Sequence, residues 1–206
     1  MGIAMSNPFI PPPPVAAPDV IEPPDEVFGA TDELHGPASP AIAPAVDVSA
    51  DQPWQQVTIS SREPIMVMGL HGGAGATTMT QLLADRALDV GTAWPVAGGW
   101  ERPLPHLSVL AVCRNHQAGI RAGLRFARQW AAGWLPASQL VGIVIIDDGP
   151  QLLEAQKAAT RRLAQMTPTG WHVPWHDQWR VEAPTLATAP RRVKKTIRTI
   201  TTLVKE

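Results

Sequence analysis

Residues 65–78 read Ile-Met-Val-Met-Gly-Leu-His-Gly-Gly-Ala-Gly-Ala-Thr-Thr, an apolar run that breaks into a glycine-rich turn and then into a helix-forming segment. This order restricts the fold sharply, because a continuous apolar run suits a strand buried on both faces, and such strands belong to parallel sheets. Residues 107–112 and 140–146 have the same Val, Ile and Leu character. Helical patterns over 77–90, 116–134 and 151–166 separate the runs, and residues 170–173 offer a weaker fourth strand. The expected architecture is α/β: a small open, mostly parallel sheet of three to four strands, with flanking helices on right-handed crossovers.

Residues 1–56 read differently. Twelve of the 22 prolines fall before residue 62, including Pro11 to Pro14 in a row, among acids and few large apolar groups. Such a segment buries too little surface to offset its ordering entropy and is expected to be a disordered, partly polyproline-II tail. The start Met1-Gly2-Ile3-Ala4-Met5-Ser6 also fits the short myristoylation pattern.

The net charge of −1 conceals an asymmetry. Residues 1–61 carry eight acids and no Lys or Arg, which leaves 17 basic and 10 acidic side chains, a surplus of seven, in residues 62–206. A basic body suits an anionic partner such as DNA, a nucleotide or acidic lipid, and equally an ordinary solvated surface. Residues 191–206 are expected to form a basic amphipathic C-terminal helix whose apolar stripe could close the sheet. There Arg191, Arg192, Lys194, Lys195 and Arg198 stand against Val193, Ile197, Ile200 and Val204, as a contact surface for DNA or an acidic surface. Arg121, Arg125 and Arg128 form a second basic stripe, beside Ile120, Leu124, Ala127 and Ala131. One cysteine, Cys113, lies in an apolar run and is expected to be buried. With no apolar stretch of membrane-spanning length, no signal-peptide start and no possible intramolecular disulfide, a cytoplasmic location is expected.

The glycine-rich turn carries the chemistry. Glycines let backbone N–H groups close around phosphate oxygens while the next helix offers its positive end. Gly72, Gly73 and Gly75 provide that backbone, and Thr77 stands where a hydroxyl would meet Mg²⁺. Ala76 stands where a lysine is needed.

His71-Gly72-Gly73-Ala74-Gly75-Ala76-Thr77-Thr78 resembles the deviant Walker A loop of the ParA/MinD superfamily, whose pattern is Lys-Gly-Gly-x-Gly-Lys-Thr-Thr. The lysine-poor form is similar to the loop of TadZ/CpaE-like members and of an uncharacterised actinobacterial family of small proteins. That last family is also similar over residues 107–180, so the resemblance covers about residues 63–180. It implies a cytosolic P-loop fold, often dimeric around ATP, that positions plasmids, chromosomes, pili or division machinery. His71 and Ala76 replace the two lysines of that pattern. A cation about 4 Å from a phosphate charge is worth roughly 4 kcal/mol at an effective dielectric near 20, so ATP or ADP with Mg²⁺ is expected to bind weakly or not at all.

The resemblance also places a hydrolytic acid between the first helix and the run 107–112, where residues 91–105 offer only Glu101 and look too short for further strand–helix units. Asp147-Asp148-Gly149-Pro150 imitates a Walker B ending, but its order in the chain matches the later strand, near where these folds hold the base. Trp171, Trp175 and Trp179 recur at every fourth residue and suit a core edge, a base-stacking surface or a protein contact. Three readings follow. One is a degenerate P-loop accessory or scaffold in positioning, partition, conjugation or secretion, acting through a protein partner or homodimer. Another is a working switch ATPase using Asp147 or Asp148 for its metal. The third is a non-specific DNA-binding accessory.

Overall fold

The computed structural model describes residues 27–29, 31–61, 63–99 and 102–204. In chain order the strands are β1 (Glu33–His35), β2 (Gln56–Ile59), β3 (Ile65–Gly69), β4 (Ala87–Asp89), β5 (Trp94–Ala97), β6 (Ser108–Arg114), β7 (Gln139–Ile146) and β8 (Thr169–Val173). The helices are α1 (Ala76–Leu83), α2 (Gln117–Ala131), α3 (Glu154–Ala164) and α4 (Arg191–Leu203). Six strands form one sheet in the order β1-β8-β7-β6-β3-β4, and β2 with β5 form a separate parallel pair. Within the large sheet β1 is antiparallel to β8, and the other neighbours are parallel.

The three apolar runs occupy the centre because they can be covered on both sides. Alternate residues of β3 feed two cores. Met66 and Met68 join Phe126 and Trp130 of α2 and Leu163 of α3. Ile65 and Val67 join Met79 and Leu82 of α1 and Val193, Ile197 and Ile200 of α4. Every residue of β3 is buried, as the unbroken apolar run requires. The parallel pairing brings the carboxyl ends of β4, β3, β6, β7 and β8 to one edge, where open α/β sheets hold ligands.

The sheet is larger than the expected three to four strands, for two reasons. The helical pattern over 77–90 hides a strand: α1 stops at Leu83, the chain reverses through Ala84 (φ 53°), and β4 pairs with β3. Residues 91–105, expected to be too short for further strand–helix units, contain β5, which pairs with β2 outside the large sheet; its Trp94 is fully buried and donates through Nε1 to the Pro136 carbonyl oxygen.

The second addition comes from the segment expected to be a tail. Residues 31–56 and 27–29 are ordered against the body: β1 extends the sheet, and Val27, Phe28 and Val48 are buried. A few apolar anchors and an open edge on β8 suffice where composition averaged over 56 residues suggests none. The Pro11–Pro14 run, the Met1–Ser6 start and Glu101 lie outside the described residues. The apolar stripe of the C-terminal helix closes one face of the sheet, with Val193, Thr196, Ile197 and Ile200 of α4 buried.

Two outcomes test this packing. Phe28→Ala should cost about 3 kcal/mol, as truncation of a buried phenylalanine does, read as a lower urea midpoint; an unchanged midpoint would detach residues 27–35 from the core. Burial pushes the Cys113 thiol up from 9.0 to about 12. The folded chain therefore keeps a proton that the unfolded chain releases between those values, and stability falls as pH rises through that window. At pH 8 a thiol reagent should label Cys113 only after denaturation.

Candidate functional site

Between β3 and α1 the chain turns through residues 70–75. Gly73 (φ 75°) and Gly75 (φ 95°) occupy the left-handed region, and a Cβ on Gly75 would come 2.6 Å from Ile146 Cδ1. Both positions therefore call for glycine. The Ala74 N–H closes the turn on the His71 carbonyl oxygen at 3.2 Å. The N–H groups of Gly72, Gly73, Gly75, Ala76, Thr77 and Thr78 have no protein acceptor among the described residues. They surround an open hollow of about 380 Å³ lined by residues 71–78 with Gly69, Asp89, Gly91, Thr92 and Arg114. Unpaired N–H groups at a helix start are what an anion satisfies.

The hollow has an acid that the sequence did not reveal. Thr77 Oγ1 donates to Asp89 Oδ2 at 3.0 Å, and the Gly91 N–H donates to Asp89 Oδ1 at 2.9 Å. Asp89 ends β4, which pairs directly with β3, so strand pairing alone places its carboxylate opposite the threonine. It stands in the chain interval where the resemblance placed an acid and where only Glu101 was expected. The signal was the pattern Asp89-Val90-Gly91 after two apolar residues, masked by helical periodicity.

His71 is committed elsewhere. Its Nδ1 lies 2.9 Å from the Gly72 carbonyl oxygen, and its Nε2 receives the Arg114 N–H at 3.1 Å. Both bonds are satisfied only with the hydrogen on Nδ1 and a lone pair on Nε2. His71 therefore braces the loop against β6, and its ring packs 4.9 Å from that of His116, which caps α2 by accepting the Gly119 N–H.

Asp147 does not face the loop as a free ligand. Its Oδ1 accepts from Asn115 Nδ2 at 2.6 Å and lies 2.8 Å from His172 Nε2, while Oδ2 accepts the Trp175 N–H at 3.2 Å. Asn115, Asp147 and His172 are all buried. With both oxygens engaged by protein donors, Asp147 ties the ends of β6, β7 and β8 together. Asp148 is exposed, and its N–H donates to Asn115 Oδ1. A second hollow of about 90 Å³ adjoins the first, sharing Thr78 and Arg114, and is walled by Trp175, His176, Trp179 and Arg180. His176 Nε2 and Trp179 Nε1 are buried without partners.

The tryptophan series divides. Trp171 is core and bonds Glu33, Trp175 bonds Asp177 and carries Arg180 over its ring, and Trp179 packs edge-on to His176. The basic stripes are partly covered by the acidic segment. Arg125 stacks on Trp54, Arg125 and Arg128 donate to the carbonyl oxygens of Gln52 and Asp47, and Arg192 and Lys195 meet Asp32. Lys194 bonds the Ala187 carbonyl oxygen. No helix among the described residues is long and apolar enough to cross a membrane.

Fold and site together define an α/β protein with a glycine-rich turn around an open hollow at the carboxyl edge of a mostly parallel sheet. The chain belongs to a family of unknown function, DUF6668, whose model matches residues 63–197. No curated protein and no solved structure matches it. The matched span includes the loop, Asp89, Arg114 and Asp147.

Replacing Asp147 by Asn sets an N–H donor against donors that need an acceptor. The variant should lose about 2 kcal/mol in urea unfolding, as a buried polar group left without its hydrogen-bond partner does, whereas Asp148→Asn should leave the midpoint unchanged.

Proposed function

We propose that this protein is a degenerate, ParA/MinD-like nucleotide-binding module that holds the phosphates of Mg-ATP or Mg-ADP weakly in the loop hollow. It hydrolyses ATP slowly or not at all and serves as an accessory or scaffold for a protein partner. The observation that carries this reading is the Thr77–Asp89 hydrogen bond at the mouth of a hollow lined by six residues whose N–H groups have no protein acceptor among the described residues. A glycine turn that merely joined strand to helix would need neither.

The donor set fits Mg²⁺, which takes hard oxygen ligands and is commonly shared between one or two protein oxygens and phosphates. Thr77 Oγ1 and Asp89 Oδ2 would hold it. When bound, the ion would supply positive charge that offsets part of the charge on the phosphates. The backbone N–H groups orient the phosphates, and Asp89 discourages an anion that arrives without its metal. Ala76 supplies no charge, so the roughly 4 kcal/mol associated with a cation at 4 Å is missing, equivalent to about a thousandfold in affinity.

Calorimetry tests the reading. Mg-ATP and Mg-ADP should bind with dissociation constants on the order of millimolar, a thousandfold above micromolar, and chelating the metal should abolish the heat. Asp89→Asn should weaken binding while removing most of its dependence on Mg²⁺. Ala76→Lys should tighten binding by at least about tenfold, since the cradle already has its form. Absence of nucleotide uptake by both the natural protein and Ala76→Lys would reject the proposal.

A further inference from the structure

We infer that the Arg114 guanidinium is the cation of this site, meeting the phosphates from β6 in place of the lysine missing at position 76. The inference rests on the nucleotide reading above and names the residue that makes it electrostatically workable.

The charge around the hollow is the starting point. Its lining contains two ionic side chains, Asp89 and Arg114. A polyphosphate placed among the loop N–H groups would otherwise face only a carboxylate. His71 cannot supply charge without loss, because a proton on Nε2 would displace the Arg114 N–H from its acceptor. Arg114 remains, and arginine keeps its charge at any physiological pH.

Its position is fixed at two levels. Arg114 closes β6, the hydrogen-bonded neighbour of β3, so its side chain emerges at the sheet edge beside the loop. The Arg114 backbone N–H is bonded to His71, a loop residue, which sets the spacing between the cradle and the root of the arginine. At the far end, Nη1 donates to the Asp147 carbonyl oxygen at 2.8 Å. That bond orients the guanidinium plane without neutralising it, and no carboxylate pairs with Arg114 among the described residues. The same side chain lines both hollows, so it forms part of the wall between them. A planar fork held at one corner leaves its other N–H groups to meet two oxygens of one phosphate or of adjacent phosphates.

Calorimetry with Mg-ATP, Mg-ADP and adenosine separates this from a structural role. Arg114→Gln keeps a donor for the Asp147 carbonyl oxygen and removes the charge. It should weaken both nucleotides at least about tenfold, about 1.4 kcal/mol, without changing the melting temperature or the response to adenosine. Arg114→Lys, which keeps the charge and loses the fork, should fall between the two proteins. Adding Ala76→Lys to Arg114→Gln should recover the lost affinity, as a change in charge permits and a collapsed site does not. Natural-protein binding left unaltered by Arg114→Gln, or a loss that Ala76→Lys fails to rescue, overturns the role of Arg114 alone. No nucleotide binding by the natural protein or by the Ala76→Lys variant overturns the nucleotide reading and this inference together.

Discussion

A buried carboxylate with both oxygens engaged organises the functional edge of this molecule. Asp147 receives Asn115 from the turn after β6, His172 from β8 and the Trp175 N–H from the segment beyond. Parallel strands have no hairpin to fix their ends, so their carboxyl termini need such a tie if side chains there are to hold position. A buried polar group is tolerated in this setting because it is hydrogen-bonded, and removing one partner would leave the others costly. The Asp147 carbonyl oxygen extends the arrangement by holding Arg114. The loop, the arginine and the Trp175–Arg180 segment thus share one rigid support.

Charge is arranged around the hollow from separate parts of the chain. Backbone N–H groups come from the loop and the first turn of α1, the hydroxyl from Thr77, the carboxylate from β4 and the guanidinium from β6. His71 acts as a brace rather than as a charge. The hollow thus takes its carboxylate and its guanidinium from the ends of two strands that flank β3 rather than from the helix that follows the loop.

Among the described residues, part of the acidic segment lies on basic faces of the body. The acidic stretch passes over basic faces of the body: Asp32 meets Arg192 and Lys195, and residues 47–54 lie against Arg125 and Arg128. Exposed pairs of this kind contribute little each. Their effect is to occupy cationic groups that composition alone assigns to an external anion, and to direct β1 onto the sheet edge where Phe28 and Val27 bury themselves.

The sequence by itself determined the elements whose patterns are long or unbroken: β3, β6 and β7 as continuous apolar runs, α2 and α4 as amphipathic helices, and the glycine turn between β3 and α1. These features are local, set by burial on both faces, by 3.6-residue spacing and by the need for positive φ at Gly73 and Gly75. Only the tertiary structure decided the rest. The three-residue strands β1 and β4 carry no period of their own and exist because β8 and β3 offered open edges. Asp89 and Arg114 reach the hollow through strand pairing, and Asp147 is drawn away from it by Asn115 and His172, residues 32 positions before and 25 after it. A site assembled from the ends of parallel strands depends on which strands become neighbours, and that order is a property of the packed sheet rather than of any stretch of chain.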